Sequence, residues 1–580
     1  MTSYKERAAT EIREQHPAQT VTPIMRKLVG DSAAMLHRSP GDARARAGAA
    51  RAYSVAHLEE LHEQLQASFA RQGIGYHRAA TGDDAIAIIR GLLGEAKRVA
   101  KSKSMVGEEV GLTHALRAAG IDILETDIGE YIVDIEGRGP SHITAPALHL
   151  NRARIRDLLA RTGADLPDDD PVRLSRFVRD IVGEYFRDCD AGITGANAVI
   201  ASSGRLMVVE NEGNVSLGAS HPKLHIAITG LEKVVADEAA GLAILEVLAP
   251  SATAQPLTSF SHFLAAPDPG QQRHVVFVDN GRTRILGQER YRDILKCIRC
   301  GACMNGCPVY RAAGGLSYGS PYMGPIGAVL SPLLWPDGRY ADLPFASSLC
   351  GSCSEVCPVG IPLHHMLLDL RADAVAEGQV AKRAERAGWK AWSLAFSSPF
   401  GARAAAAAGR IGLRSAGRAI RGKGSEGDPR LLPDVEPLRA PGALTAAGPA
   451  PQVIALEDVA APPADIATLF RARAASLGIL VCDALAPREG DRVLRATAAI
   501  ASTGSVVLTG PAAARRPLLA AKRVVVILNP AAIVPYPSDL ATRLGTGDAL
   551  ILTGASRTAD IEKQIVRGIH GSEELVVVME

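Results

Sequence analysis

The stretch IASSGRLMVV, residues 200–209, returns near the far end of the chain as IASTGSVVLT, residues 500–509. Two more pairs keep the same order: KLHIAITGLEKVV (223–235) with KRVVVILNPAAIVP (522–535), and HVVFVDNGRT (274–283) with ALILTGASRT (549–558). Shared order and a nearly constant offset argue for an internal duplication, and a repeat missed early corrupts every later assignment. Upstream of the first copy the pattern alternates. GIGYHRA (73–79) suits a strand, GDDAIAIIRGLLGEA a helix opened by Asp83, RVAKSKS a strand, GEEVGLTHALRAAG a helix and IDILETD a strand. Strands alternating with helices of this length predict an α/β domain, a mostly parallel sheet covered on both faces. The second copy has no counterpart of KSKSMVGEEV or its flanking helices, so it is a partial α/β domain.

Between the copies the chemistry concentrates. Seven of the nine cysteines fall within residues 297–357, which is no disulfide framework in a chain of 580 residues and points to metal. CIRCGACMNGCP (297–308) places Cys297, Cys300, Cys303 and Cys307 at C-x2-C-x2-C-x3-C-P spacing. In two-cluster ferredoxins three such thiolates wrap one iron–sulfur cube and the cysteine before proline reaches the other. Zinc is the competing metal, but its sites usually pair two C-x2-C hooks. With that exchange, Cys297, Cys300, Cys303 and Cys357 hold the first cluster, and Cys307, Cys350 and Cys353 hold the second. Read backward from Cys357 in SSLCGSCSEVCP (347–358), the eighth cysteine belongs at position 347, where Ser347 stands. The corner can be closed by serine alkoxide, left without iron as a 3Fe-4S cluster, or filled by iron bound to water, Cys189 or a partner's group. The expected cofactors are two iron–sulfur clusters, 4Fe-4S in type, the second with three cysteine ligands. Cys189 and Cys482 otherwise read as structural thiols.

The remaining features set boundaries. Net charge is +2 with basic and acidic residues interspersed, so no nucleic-acid surface is implied. There is no apolar run of eighteen residues and no signal-peptide core, so a cytoplasmic protein without a transmembrane segment is expected. The expected layout is a helical N-terminal region (1–70), an α/β domain (71–285), a two-cluster ferredoxin-like α-helical insertion (286–365) and a helical extension (366–424). A Pro/Ala/Gly-rich linker (425–464) and the partial second domain (465–580) follow, and the linker composition predicts a tethered C-terminal module. In RAGWKAWSLAFSSPFG (386–401), Trp389, Trp392 and Phe396 share a helical face that suits a partner interface or packing on the ferredoxin-like segment.

NEGN (211–214) follows the strand RLMVVE, at the end of a strand where open α/β sheets bind ligands. A small-molecule pocket is therefore expected from Lys101, Glu108, Glu109, Thr126, Asp127, Asn211, Glu212 and Asn214. His142, His149, His221 and His225 lack paired spacing and read as ordinary packing or hydrogen-bonding residues. No flavin or nicotinamide fingerprint is present.

Several long stretches carry a family resemblance: KSKSMVGEEV (101–110), ETDIGEYIVDI (125–135), PSHITAPALH (140–149), VENEGNVSL (209–217), HIAITGLEKVV (225–235) and YGSPYMGPIGAVLSPLL (318–334). Over about residues 1–420 the chain resembles the lactate utilisation iron–sulfur protein B family. The end, TGASRTADIEKQIVRGIHGSEELVVV (553–578), is similar to the lactate utilisation protein C family, so the whole looks like a fusion of B with a shortened C. The resemblance implies a LUD-type domain, similar in fold to the sugar-phosphate isomerase and CoA-transferase group, and the seven-cysteine arrangement itself. It also implies an iron–sulfur electron-transfer role in the oxidation of L-lactate to pyruvate. The implied partners are a cysteine-rich iron–sulfur A-type protein and a C-type protein, through which any contact with a membrane is made. Two rival functions belong to other classes: an α/β domain that itself acts on a small acid or thioester, and a scaffold whose clusters are structural.

Overall fold

The computed structural model describes residues 3–380, 383–398, 401, 403, 465–561 and 565–580. Met1–Ala372 together with Val459–Glu580 form one compact unit, and Asp373–Asp458 a second. The expected linker (425–464) and the later part of the expected helical extension lie outside the described residues.

The first copy contributes ten strands: β1 (Ile74–Ala79), β2 (Arg98–Lys101), β3 (Asp122–Glu125), β4 (Ala191–Thr194), β5 (Ala198–Ile200), β6 (Leu206–Glu210), β7 (Leu224–Gly230), β8 (Val234–Val235), β9 (Phe260–Leu264) and β10 (Gln272–Val278). Six of them form an all-parallel sheet in the order β1-β10-β7-β4-β2-β3. Its central strands are apolar and buried along their length, as β4 is throughout, which is what a parallel sheet covered on both faces requires. Gly192 in β4 is forced by close approach: a Cβ there would lie 1.9 Å from the carbonyl oxygen of Gly218. The helix predicted to open at Asp83 is instead capped by Thr81, whose hydroxyl accepts from the Asp84 N–H while Asp84 returns a bond to the Thr81 backbone.

The second copy adds β11 (Leu480–Cys482), β12 (Arg492–Arg495), β13 (Ala498–Ile500), β14 (Ser505–Thr509), β15 (Arg523–Leu528), β16 (Ile533–Val534), β17 (Ala549–Leu552), β18 (Arg557–Thr558), β19 (Val566–Arg567) and β20 (Glu574–Met579). Its parallel sheet runs β11-β20-β15-β12, the same positions as β1-β10-β7-β4, and ends where the first copy continues into β2 and β3. Sheet position corrects one sequence pairing. HVVFVD lies in β10, whose counterpart is β20, whereas ALIL forms β17, the counterpart of β9.

The expectation of a tethered C-terminal module is also corrected. Both copies build one eight-stranded sheet in the order β16-β13-β14-β17-β9-β6-β5-β8, which reads symmetrically from its centre. There β17 and β9 pair antiparallel, Ala549 opposite Phe263 and Leu552 opposite Phe260. Phe263 and Ile551 have no exposed surface. Residues apolar on a strand edge demand cover, and each copy supplies it to the other.

The N-terminal region is four helices, Tyr4–Gln15, Pro17–Leu36, Ala43–Ala56 and Leu58–Gln72. They clasp the cysteine segment: Arg7 Nε donates to Ser317 O at 2.9 Å, Thr22 Oγ1 to Arg311 O at 3.0 Å and Arg44 Nη2 to Cys357 O at 2.8 Å. A nearly all-buried helix, Glu238–Thr253, packs in the same core as the cysteines. In the second unit, helix Arg383–Phe396 exposes Trp389 and Trp392, whose rings meet edge to face at 5.8 Å. No helix among the described residues is long and apolar enough to cross a membrane.

Candidate metal centre

The first cysteine motif begins at the end of the 3-10 turn Arg292–Lys296 and continues into the short helix Ala302–Gly306. Cys307 then caps helix Pro308–Ala313, with proline at the first helical position, where its missing N–H costs nothing. Cys357 closes the second motif after the turn of helix Ser352–Glu355. Cys297, Cys300, Cys303 and Cys357 line one cavity, otherwise walled mainly by apolar side chains such as Ile143, Ile326 and Leu363. Elsewhere, Cys307 and Cys350 are the neighbouring thiols that act on Cys353. The chain thus brings its seven cysteines together as four and three.

Five of the seven are buried, while Cys350 is exposed. Burial, reinforced by Cys357 and Cys297, pushes the Cys300 thiol well up, and burial with Cys307 alongside pushes Cys353 up to about 11. Thiols gathered in a dry space ionise together only when a cation neutralises them. Thiolate-only donors with backbone N–H groups pointing at sulfur fit iron–sulfur clusters: Arg299 N donates to Cys297 Sγ, Tyr310 N to Cys307 Sγ and Ile361 N to Cys357 Sγ, each at 3.4 Å.

Ser347 repeats the geometry of Cys297. The Leu349 N–H donates to Ser347 Oγ at 3.1 Å, as the Arg299 N–H does to Cys297 Sγ. Leu349 and Arg299 share a left-handed backbone, φ 56° and 60°, and Gly351 and Gly301 follow at 83° and 79°. The two motifs therefore fold alike, with oxygen in place of sulfur at one position. Cys189 belongs elsewhere. It ends helix Pro171–Asp188, its thiol donates to Phe186 O at 3.5 Å, and it packs in a different apolar cluster from the cluster cysteines.

The eight residues expected to line a pocket fall into separate groups, most of them engaged with protein partners. Lys101 is fully buried, with Nζ 2.7 Å from Glu125 Oε1 and 3.2 Å from Glu108 Oε1. Burial alone would lower its pKa, but Glu125, Glu108 and Glu130 hold the ammonium above its usual range. Thr126 Oγ1 donates to Lys101 O at 3.1 Å, and Asn211 Oδ1 accepts from Ser259 N at 2.9 Å. Asn214 is buried in the first turn of helix Asn214–Ser220, after Gly213 at φ 97°. Asp127 and Glu212 meet Asp560 of the second copy, with carboxylate oxygens all within 4.8 Å of one another. Burial and then Asp560 push Asp127 up to about 6, and burial with both aspartates raises Glu212 well above the carboxylate range. Asp560 was not visible as part of this cluster because it lies beyond the cysteine segment and across the seam between copies.

Glu109 leaves that region altogether. It forms a fork with Arg282, Oε2 to Nη2 at 2.7 Å, and accepts from Tyr322 Oη at 2.5 Å and Asn280 Nδ2 at 2.7 Å. Arg282 Nε also reaches Glu232 Oε2 at 2.6 Å, and Glu232 Oε1 lies 3.3 Å from Arg299 Nη2. Burial would raise Glu232, but Arg282, Arg299 and Lys233 hold it down at about 2. Lys233 Nζ donates to Cys297 O at 3.0 Å. A buried ionic chain thus runs from the α/β sheet to the first cysteine motif. Sequence reasoning missed it because its members are far apart and single. The histidines follow the expected ordinary roles: His142 accepts from Thr144 N, His149 meets Glu136 and His225 meets Thr194.

A family model of the LUD domain matches residues 62–283 and again 493–579, and one of the 4Fe-4S dicluster domain matches residues 293–361. Lactate utilization protein B 2 of Bacillus mycoides (strain KBAB4) is 44% identical over 356 residues, 60% of this chain and 75% of that protein. Lactate utilization protein B of Bacillus thuringiensis (strain Al Hakam) matches with the same identity and coverage. A crystal structure of a duf162 family protein from Deinococcus radiodurans shares 16% identity at a TM-score of 0.22, covering 38% of this chain and 98% of that one. Fold and thiol sets together define an iron–sulfur protein built on LUD domains. The duplicated α/β sheet and the cysteine segment sit within one chain, 60% of which aligns with these relatives. The chain belongs to the lactate utilization protein B family.

Proposed function

We propose that this chain is the electron-transfer component of a system that oxidises L-lactate to pyruvate. One observation carries the reading: two neighbouring thiol sets, one walled in by apolar side chains and the other reaching the surface at Cys350. Bound to these sets, two iron–sulfur clusters supply one-electron transfer, and lactate oxidation releases two electrons with two protons. Cys297, Cys300, Cys303 and Cys357 would hold the first cluster, and Cys307, Cys350 and Cys353 the second. Ser347 stands where an eighth thiol would complete the second set, so that cluster would have three cysteine ligands. The chain's own contribution is to exclude water from the first set, to present N–H donors to sulfur and to leave the second set near the surface for a partner. The partners in this reading are a cysteine-rich A-type protein and a C-type protein, with the second LUD copy a shortened C-type segment fused to the chain. The clustered Asp127, Glu212 and Asp560 carboxylates, with Glu212 buried, speak against an anionic substrate among them, since a further carboxylate adds like charge to the group.

The test is anaerobic purification with iron counted per chain, then low-temperature EPR during addition of L-lactate, alone and with the partner proteins. Two reducible signals that lactate bleaches or develops only in the presence of partners are expected. Signals indifferent to lactate in the full assembly would reduce the clusters to a structural role.

A further inference from the structure

Arg299 sits between two cysteines of the first motif and lines the same cavity as Cys297, Cys300, Cys303 and Cys357. Its side chain is 10% exposed. Nη2 lies 3.3 Å from Glu232 Oε1, and the guanidinium covers the Tyr322 ring with Cζ 4.9 Å from the centroid. Nη1 is buried and has no hydrogen-bond partner among the described residues. A buried guanidinium donor left unpaired is costly, so its partner must be sought in what the cavity receives. Sulfide and thiolate sulfur are such acceptors.

The surrounding charge points the same way. Among the described residues, Arg51 from helix Ala43–Ala56, Arg282 and Arg299 face Glu109 and Glu232 here, three guanidinium groups against two carboxylates. Arg51 Nε donates to Lys296 O at 3.1 Å and Lys233 Nζ to Cys297 O, so the excess positive charge abuts the motif's backbone. The second motif has Leu349 where the first has Arg299. Its nearby Arg371 spends its guanidinium on the carbonyl oxygens of Pro344 and Ser347, at 2.9 and 2.6 Å.

We infer that the Arg299 guanidinium is a hydrogen-bond donor and fixed positive charge to the cluster held by Cys297, Cys300, Cys303 and Cys357, and that it raises that cluster's reduction potential. Reduction adds an electron to an already anionic group, and a cation with an N–H aimed at sulfur stabilises the reduced form more than the oxidised one. Arg299 is a positioning residue, not a ligand. The inference rests on the two-cluster reading above.

The test is EPR-monitored potentiometric titration of the full anaerobic chain and of Arg299→Leu and Arg299→Gln, with iron counted in each. Expected is a lower midpoint for one signal only, with iron per chain unchanged. At the natural chain's midpoint, the ratio of reduced to oxidised cluster should fall about tenfold in Arg299→Leu, ~59 mV for one electron. Arg299→Gln keeps a donor and loses the charge, so its shift should be smaller and in the same direction. Full iron with both midpoints unmoved overturns the inference. If Arg299→Leu loses iron, the Gln variant decides, by a displaced or an unmoved midpoint, and iron loss from both would make Arg299 a structural support and overturn it too. A natural chain without iron would instead remove the two-cluster reading itself.

Discussion

The molecule holds two unequal pairs. The first LUD copy is complete and the second stops at β12, and the first cysteine motif has four thiols where the second has three and Ser347. In the LUD pair, the second copy keeps every strand that contributes to the shared sheet. It loses β2, β3 and the helices between them, which in the first copy carry Lys101, Glu108, Glu109 and Glu125. The part retained is the part that covers a neighbour, and the part missing is the one that in the first copy carries the buried Lys101, Glu109 and Glu125. In the cysteine pair the turn geometry is retained, down to the left-handed Leu349 and Arg299, and what differs is donor and charge. The pairs teach that scaffold and chemistry are separable here.

The harshest way to break the first comparison is to delete residues 465–580. That strips β17 from β9 and exposes Phe260 and Phe263, so the shortened chain should aggregate or self-associate through the bare edge, as size-exclusion chromatography would show. A monomer with an unchanged melting temperature would mean the second copy is dispensable to the fold. Next in size is Arg282→Ala, which leaves Glu109 and Glu232 buried without their shared cation. Urea unfolding should show a loss of about 3–5 kcal/mol, the cost of breaking a buried ion pair from one side. A loss below about 1 kcal/mol would show that Arg299 and Lys233 suffice for both carboxylates.

Ser347→Cys sharpens the second comparison by restoring the eighth thiol. Under mild oxidation the natural chain should develop a 3Fe-4S signal and lose about one iron per chain, while the variant keeps its full count. Equal iron loss in both would place the labile corner elsewhere.

The smallest effect is a pH dependence. The folded pKa of Asp127, about 6, lies above its ordinary 3.8, so this carboxyl binds more protons folded than unfolded across that interval. Its contribution to stability is present below about 4 and falls as pH rises through 6. Glu212→Gln removes a repelling neighbour and should therefore raise the unfolding free energy in urea at pH 8 more than at pH 5, by an amount on the order of 1 kcal/mol. A variant less stable at pH 8 would mean that the three carboxylates hold a cation there.

Much of this architecture was legible in the chain. Cysteine spacing is a local signal, and IASSGRLMVV with IASTGSVVLT marks the same hairpin, β5–β6 and β13–β14, in each copy. The third repeat misaligns by sequence because β9 and β10 are both short apolar strands and the final Arg-Thr of each segment makes a chance match. The seam leaves no mark in the sequence because a Pro/Ala/Gly-rich connection says how a module is attached, not what its edge strand pairs with. Glu108 and Glu109 read as one pocket because they are neighbours in sequence. On the short helix Met105–Glu109 they point apart, one to Lys101 and the other to Arg282. Long-range partners of this kind leave no periodicity to read.

The seam between β9 and β17 lies within one chain, and this changes what can vary. In a symmetric dimer each substitution appears on both sides of the interface at once, so neither side can be trimmed without the other. Here the two sides are separate stretches of sequence. Their association does not weaken on dilution, and the melting temperature should be independent of protein concentration. Freed from symmetry, one half could shed its charged strands while the other kept them.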